Sequence, residues 1–265
     1  MIDFRAKSKI KKLAESIALS FDESPTPLEK ILEIEDLEVF YDDYNIDTFD
    51  GMTIYDKKRF YIHINTSNRN PPGSARCRFT LAHELGHYII DSHRIGLKLG
   101  LLEPFPSKTN QKQFYEIERE ADYFASCLLI PESRFKEDVI KKKFSFELIQ
   151  SLCNKYKVSV TACAFRFAQI GNHPIMIIYS ENGFVKWKME SDDFPYKYIL
   201  NNKAIPVNTI MGEYFSKPSK RDVYTTEKVW ALDWFDYVGD EDINRVFYEH
   251  CIPYKNKALS IIWED

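Results

Sequence analysis

The chain opens on a helical pattern. Phe4, Ile10, Leu13, Ala14, Ile17 and Phe21 recur at helical spacing while Lys7, Lys9, Lys11 and Lys12 fill the other side. Residues 3–19 are therefore predicted to form an amphipathic helix with a solvated basic face. Ser24-Pro25-Thr26-Pro27 is a start signal for a second helix over 28–34. Short strands are expected at 37–41 and 52–55. Over 59–65, Phe60, Ile62 and Ile64 alternate with Tyr61, His63 and Asn65, the period of a strand with one packed and one polar face. The run Asn68-Arg69-Asn70-Pro71-Pro72-Gly73 is a loop, and Ser74 is placed to cap a helix that continues to near Asp91. Ile117, Ala121, Phe124 and Leu128 mark a further amphipathic helix, which Pro131 ends. Between these two helices, 96–112 contains Pro104 and Pro106 and reads as a loop over the cleft, able to gate access or recognise a ligand.

Residues 144–170 read as short helices in a helix-turn-helix layout, with the turn at Lys157-Val158-Ser159. After Gly171 the texture changes to strands. Residues 174–179 and 184–189 flank Glu181-Asn182-Gly183, a hairpin signal. Further strands are expected at 229–238 and 258–263 and a helix at 240–247, in a stretch rich in tryptophan (Trp187, Trp230, Trp234, Trp263). No repeat or low-complexity segment interrupts the chain.

Chemistry concentrates in His83-Glu84-Leu85-Gly86-His87, an H-E-x-x-H motif inside the predicted capped helix. Residues four apart share a helix face, so His83 and His87 can turn ring nitrogens toward one ion. Glu84 is offset by one position, which puts its carboxylate beside the ion, where a base must sit to deprotonate a water. This is a zinc-hydrolase signature. Two residues compete to be the third ligand. His93 lies ten residues after His83, an offset used by some zinc proteases, but Ile90 stands where their chain needs a glycine to turn back. His93 is expected to cap or follow the helix end. Glu118 is the better candidate. Asp122, one turn later, suits the acceptor that takes the free N–H of a ligand imidazole and fixes its tautomer. Glu120 is expected to point away into solvent.

The text Arg78-Phe79-Thr80-Leu81-Ala82-His83-Glu84-Leu85-Gly86-His87, then Glu118-x-x-Ala121-Asp122-x-Phe124-Ala125-x-x-Leu128-Leu129-x-Pro131, resembles the ImmA/IrrE family of metallo-endopeptidases. The basic first helix and the short strands before the motif are similar too, so the resemblance covers roughly residues 1–170. It implies a zincin-like fold with His83, His87 and Glu118 on zinc and Glu84 as the catalytic carboxylate. Such proteins act in the bacterial cytoplasm and cleave helix-turn-helix repressors, switching on the genes those repressors silence. The family often carries Asn where Asp122 stands, and Asp does the same work with more charge. Zincins bind substrate as an added strand at a sheet edge. Residues 59–65 are the candidate edge, an internal strand being the open alternative. His93 and Tyr115 are candidates to stabilise an oxyanion. The expected fold class is α+β: a zincin-like domain at 1–135, a helical helix-turn-helix-like segment at 136–172 and a small α+β domain at 173–265.

Composition narrows the rivals. With 44% hydrophobic and 15% aromatic residues the chain is globular and long enough to bury a real core. A net charge of −4 and a pI near 5.9 oppose a generic nucleic-acid binder. Arg166 and Gln169 alone stand out on the second helix of the helix-turn-helix-like stretch, too few side chains to read bases. Direct nucleic-acid binding is therefore not expected. No apolar run approaches the ~20 residues that span a membrane, and the first residues lack a signal-peptide layout. The 5 cysteines are odd in number, scattered and without C-x-x-C, as in reduced cytosolic proteins. The reading is thus a cytoplasmic zinc peptidase acting on a protein, with manganese as the alternative metal. Its rival is a non-hydrolytic regulator that binds metal and sequesters a repressor. Oligomeric state is not set by the sequence.

Overall fold

The computed structural model describes residues 2–46, 48–67, 70–102, 116–216 and 225–265. Packing divides the chain into two units, 1–135 with 151–162 and 136–150 with 163–265. The segment 136–172 is thus apportioned between both.

In the first unit, helix α1 (Phe4–Leu19) starts where Asp3 Oδ2 accepts from the amides of Arg5 and Ala6 at 3.0 and 3.2 Å. Ile10, Ala14 and Ala18 are its buried stripe, and the two alanines let it pack closely on α5 (Glu116–Leu129). Helix α2 (Leu28–Ile34) leads into a three-stranded sheet of β1 (Glu38–Asp42), β2 (Gly51–Asp56) and β3 (Arg59–Asn65) in the order β1-β3-β2. β3 pairs in parallel with β1 and antiparallel with β2. Of the two readings left open for 59–65, the internal strand is the one found, and β2 is the edge strand packed on α3. The β2–β3 turn is made by Lys57 and Lys58, both at positive φ (45° and 68°), the geometry of a two-residue hairpin.

Helix α3 (Ala75–Ile89) is capped by Ser74, whose Oγ accepts from Cys77 N at 3.1 Å. It is buried almost all round from Cys77 to His87. Ile90 breaks it with ψ 114°, and a separate helix α4 (Asp91–Lys98) follows at once. The expected loop at 96–112 therefore begins as the end of a helix, and its remainder from 103, with Tyr115, lies outside the described residues. α3 lies against α5, where Gly86 makes the approach possible: a Cβ there would stand 3.3 Å from Ala121 Cα and 3.2 Å from the Phe124 ring. Helices α6 (Glu132–Val139), α7 (Phe146–Tyr156) and α8 (Val160–Ile170) run through both units.

The second unit is built on an antiparallel sheet of β4 (Ile175–Glu181), β5 (Phe184–Glu190), β6 (Thr225–Trp230), β7 (Val246–Tyr254) and β8 (Lys257–Trp263), in the order β5-β4-β8-β7-β6. Asn182 and Gly183, at φ 54° and 79°, turn the β4–β5 hairpin that Glu-Asn-Gly predicts. Two expectations fail here. The strand expected at 229–238 ends at Trp230 because Asp233 turns back to accept the Trp230 amide at 2.8 Å, starting α10 (Ala231–Trp234). The helix expected at 240–247 is one 3-10 turn, Asp240–Asp242, before β7, whose ladders to β6 and β8 override local preference. Arg166 is 1% exposed, so it offers nothing to an exposed face of α8. Among the described residues no helix is long and apolar enough to cross a membrane.

Candidate metal centre

His83 and His87 leave α3 one turn apart, and α5 presents Glu118 to them. His83 Nε2 and His87 Nε2 are 3.1 Å apart, His83 Nε2 is 3.2 Å from Glu118 Oε2, and His87 Nε2 is 3.4 Å from Glu118 Oε1. A tetrahedral ion with ~2.1 Å bonds sets its ligands roughly 3.4 Å apart, close to this triangle. One such atom from each of the three residues falls within 4.8 Å of the others, a group that could hold a metal ion.

Electrostatics agree with that geometry. Asp122 Oδ1 lies 2.9 Å from His83 Nδ1. With the proton of the neutral ring on Nδ1, its Nε2 lone pair faces a carboxylate and a second imidazole nitrogen. Such a cluster lacks positive charge. Burial opposes protonation of His83, but hydrogen bonds to Asp122 and Glu118, with the fields of Asp122 and Glu84, push its pKa up to about 10. Burial alone would raise the Glu118 carboxyl; hydrogen bonds and charge from His83 and His87 hold it well below the usual carboxylate range. A divalent cation supplies the charge that a proton otherwise brings, so the donor set fits a metal.

Glu84 is fully buried. Its Oε2 accepts from Thr53 Oγ1 of β2 at 2.7 Å, while its buried Oε1 has no hydrogen-bond partner among the described residues. Gly51, at the start of β2, is pressed against it: a Cβ at that position would lie 2.7 Å from Glu84 Oε1 and 2.6 Å from Thr80 Cγ2. Gly51 and Thr53, some 30 residues upstream of Glu84, carry no local signal in the sequence. His93, placed in α4, is buried and bonds Glu120 Oε2 through Nε2 at 3.0 Å, its ring 5.2 Å from that of His87. It follows the end of α3, but inside a second helix, and Glu120 does not point away into solvent. Burial and the charge of His87 press the pKa of His93 down to about 3. Its ring is neutral, with Nε2 committed to Glu120, so it has no spare N–H for an oxyanion.

A protein-family model described as the IrrE N-terminal-like domain matches residues 35–168, which carry the motif helix and the Glu118 helix. Among solved structures, a Mycobacterium tuberculosis transcriptional regulator shares the fold with a TM-score of 0.60 at 14% identity, over 98% of this chain and 77% of that chain. No curated protein matches in sequence. With half of its length matched by that model, the chain belongs to the ImmA/IrrE family, the IrrE N-terminal-like group of metallopeptidases.

Proposed function

We propose that this chain is a cytoplasmic zinc endopeptidase that cleaves a helix-turn-helix repressor, derepressing stress-response or mobile-element genes. One observation carries the peptidase reading: beside the His83, His87 and Glu118 donors, Glu84 holds one buried carboxylate oxygen with no hydrogen-bond partner among the described residues. A purely structural metal site has no use for such a group. His83, His87 and Glu118 would hold the zinc, which when bound polarises the scissile carbonyl and acidifies water. Asp122 keeps the His83 ring turned with Nε2 toward Glu118 and His87, the side from which the ion would be held. Glu84 Oε1 takes a proton from the attacking water and returns it to the leaving amine, while Thr53 holds Oε2 still. The low-dielectric surroundings of Glu84 strengthen both steps. The repressor as substrate rests on the family.

The test is incubation of metal-loaded protein, and of Glu84→Gln, with the repressor encoded nearest its gene, read by intact mass. Fragments with wild type alone, and metal retained by both proteins, are expected. Cleavage by Glu84→Gln near the wild-type rate would remove Glu84 from the chemistry. A stable complex without fragments would favour a regulator that sequesters its repressor.

A further inference from the structure

Beside the first two turns of α3, the first unit has a half-open pocket of about 290 Å³ whose lining includes Thr26, Tyr41, Gly73, Cys77, Arg78 and Lys157. None of these belongs to the metal centre. Arg78 is 8% exposed. A guanidinium carries five N–H donors, yet among the described residues this one makes a single hydrogen bond, Nη2 to Thr26 O at 3.0 Å. Its Nε is buried without an acceptor. A buried cation left this way is costly unless something negative joins it.

No lining group supplies that charge inside the cavity. Burial raises the Cys77 thiol and pushes Tyr41 up to about 12, so neither is an anion near neutral pH. Glu23 and Glu29 also contribute to the lining but are solvent-exposed, and Glu23 is paired with Lys30. The field of Glu29 offsets part of the burial effect on Arg78 without forming an ion pair with it. Lys157 adds a second, exposed cation. Gly73 leaves the backbone open where α3 begins: a Cβ there would meet nothing within 4 Å. Gly73 and Cys77 put the first turn of α3 in the wall of the same space.

We propose that this cavity is a binding site for a small oxyanion, a carboxylate or phosphate group gripped by Arg78 and steadied by Lys157. Ligand sites for drug-sized molecules run to roughly 300–1,000 Å³, so this volume suits a ligand of only several heavy atoms. A guanidinium at the inner position favours a two-pronged grip on an oxyanion, which a lysine could not give.

Calorimetric titration of the full-length protein with acetate and with inorganic phosphate, at ionic strength held constant with chloride, tests this. Saturable one-to-one binding of at least one anion is expected, weakened by about tenfold or more in Arg78→Met and about threefold in Lys157→Glu. The preferred anion says which chemistry the natural ligand carries. His87→Ala should bind the anion as wild type does, because the cavity shares no residue with the metal centre. Absence of saturable binding, binding retained in Arg78→Met, or binding lost in His87→Ala would each overturn the proposal. Should Arg78→Met fail to fold, the exposed Lys157→Glu decides: unchanged affinity in that variant also overturns it.

Discussion

At the scale of single residues, the candidate metal donors and the groups packed against Glu84 differ in how they are written. His83, His87 and Glu118 can be picked from the chain because helix geometry converts spacing into direction, and the fold brings them together. Gly51 and Thr53 cannot, since a strand glycine and a strand threonine are ordinary until the register of β2 against α3 is known. Their consequences are sharp. Thr53→Val removes the donor to Glu84 Oε2 with little change of volume and leaves a buried carboxylate oxygen unsatisfied. We expect kcat to fall about tenfold with KM nearly unchanged, and Thr53→Ser to restore most of it. Equal kcat in Thr53→Val would show that Glu84 needs no such support. Gly51→Ala forces an atom to 2.7 Å from Glu84 Oε1. Displacement of the carboxylate should lower kcat by about a hundredfold while metal content stays the same, measurable by turnover beside elemental analysis.

At the scale of elements, the site depends on how closely α3 and α5 approach. Two helices bring three donors together, so the interhelix distance would also set the distances to a metal held between them. Gly86→Val would drive two methyl groups into the Ala121 backbone, which cannot rotate away as a side chain would. A stability loss of about 1–3 kcal/mol is expected in urea unfolding. Competition against a chelator should show weaker metal binding, because Glu118 moves with α5. Stability lost with metal affinity intact would mean that the helices separate elsewhere. Helix patterning made both helices legible in advance. The end of the motif helix near Asp91 was legible too; what sequence could not give was the second helix, α4, which starts there at once and lets His93 reach Glu120 of α5. Nor could it give β3 as the middle strand, since alternation at 59–65 suits an edge and an interior equally. Residues 240–247 misled because their helical start stops at the 3-10 turn Asp240–Asp242, and Val246 and Phe247 are drawn into β7 by pairing with Trp230 and Val229 of β6.

At the scale of the whole molecule, pH acts through the second unit as well as through the site. His250 of β7 is 5% exposed, stacks on Phe146 with ring centroids 3.4 Å apart, and places Nδ1 2.7 Å from Thr226 Oγ1. Burial pushes its pKa down to about 4, against about 6.5 in an unfolded chain. Between those values the unfolded chain binds a proton that the folded one refuses. Stability present above about pH 6.5 therefore drains as pH falls toward 4, by up to about 2–3 kcal/mol from this group. Urea midpoints at pH 7.5 and 5 should converge in His250→Leu relative to wild type; an unchanged gap would clear His250 of the effect. The partition of the chain has another consequence, for inheritance. The unit that holds the metal centre is not continuous along the gene, since it takes 1–135 and then 151–162, with 136–150 given to its neighbour. Within it, the buried rings of Phe135 and Tyr156 pack 6.1 Å apart across that interruption. One recombination event cannot exchange either unit whole. A crossover near 135 would part Phe135 from its own Tyr156, and one after 162 would put a foreign sheet under native Phe144 and Phe146. The two units should therefore descend together, and chimeras between relatives should fold only when crossovers near 135, 150 and 162 keep the pieces of each unit together.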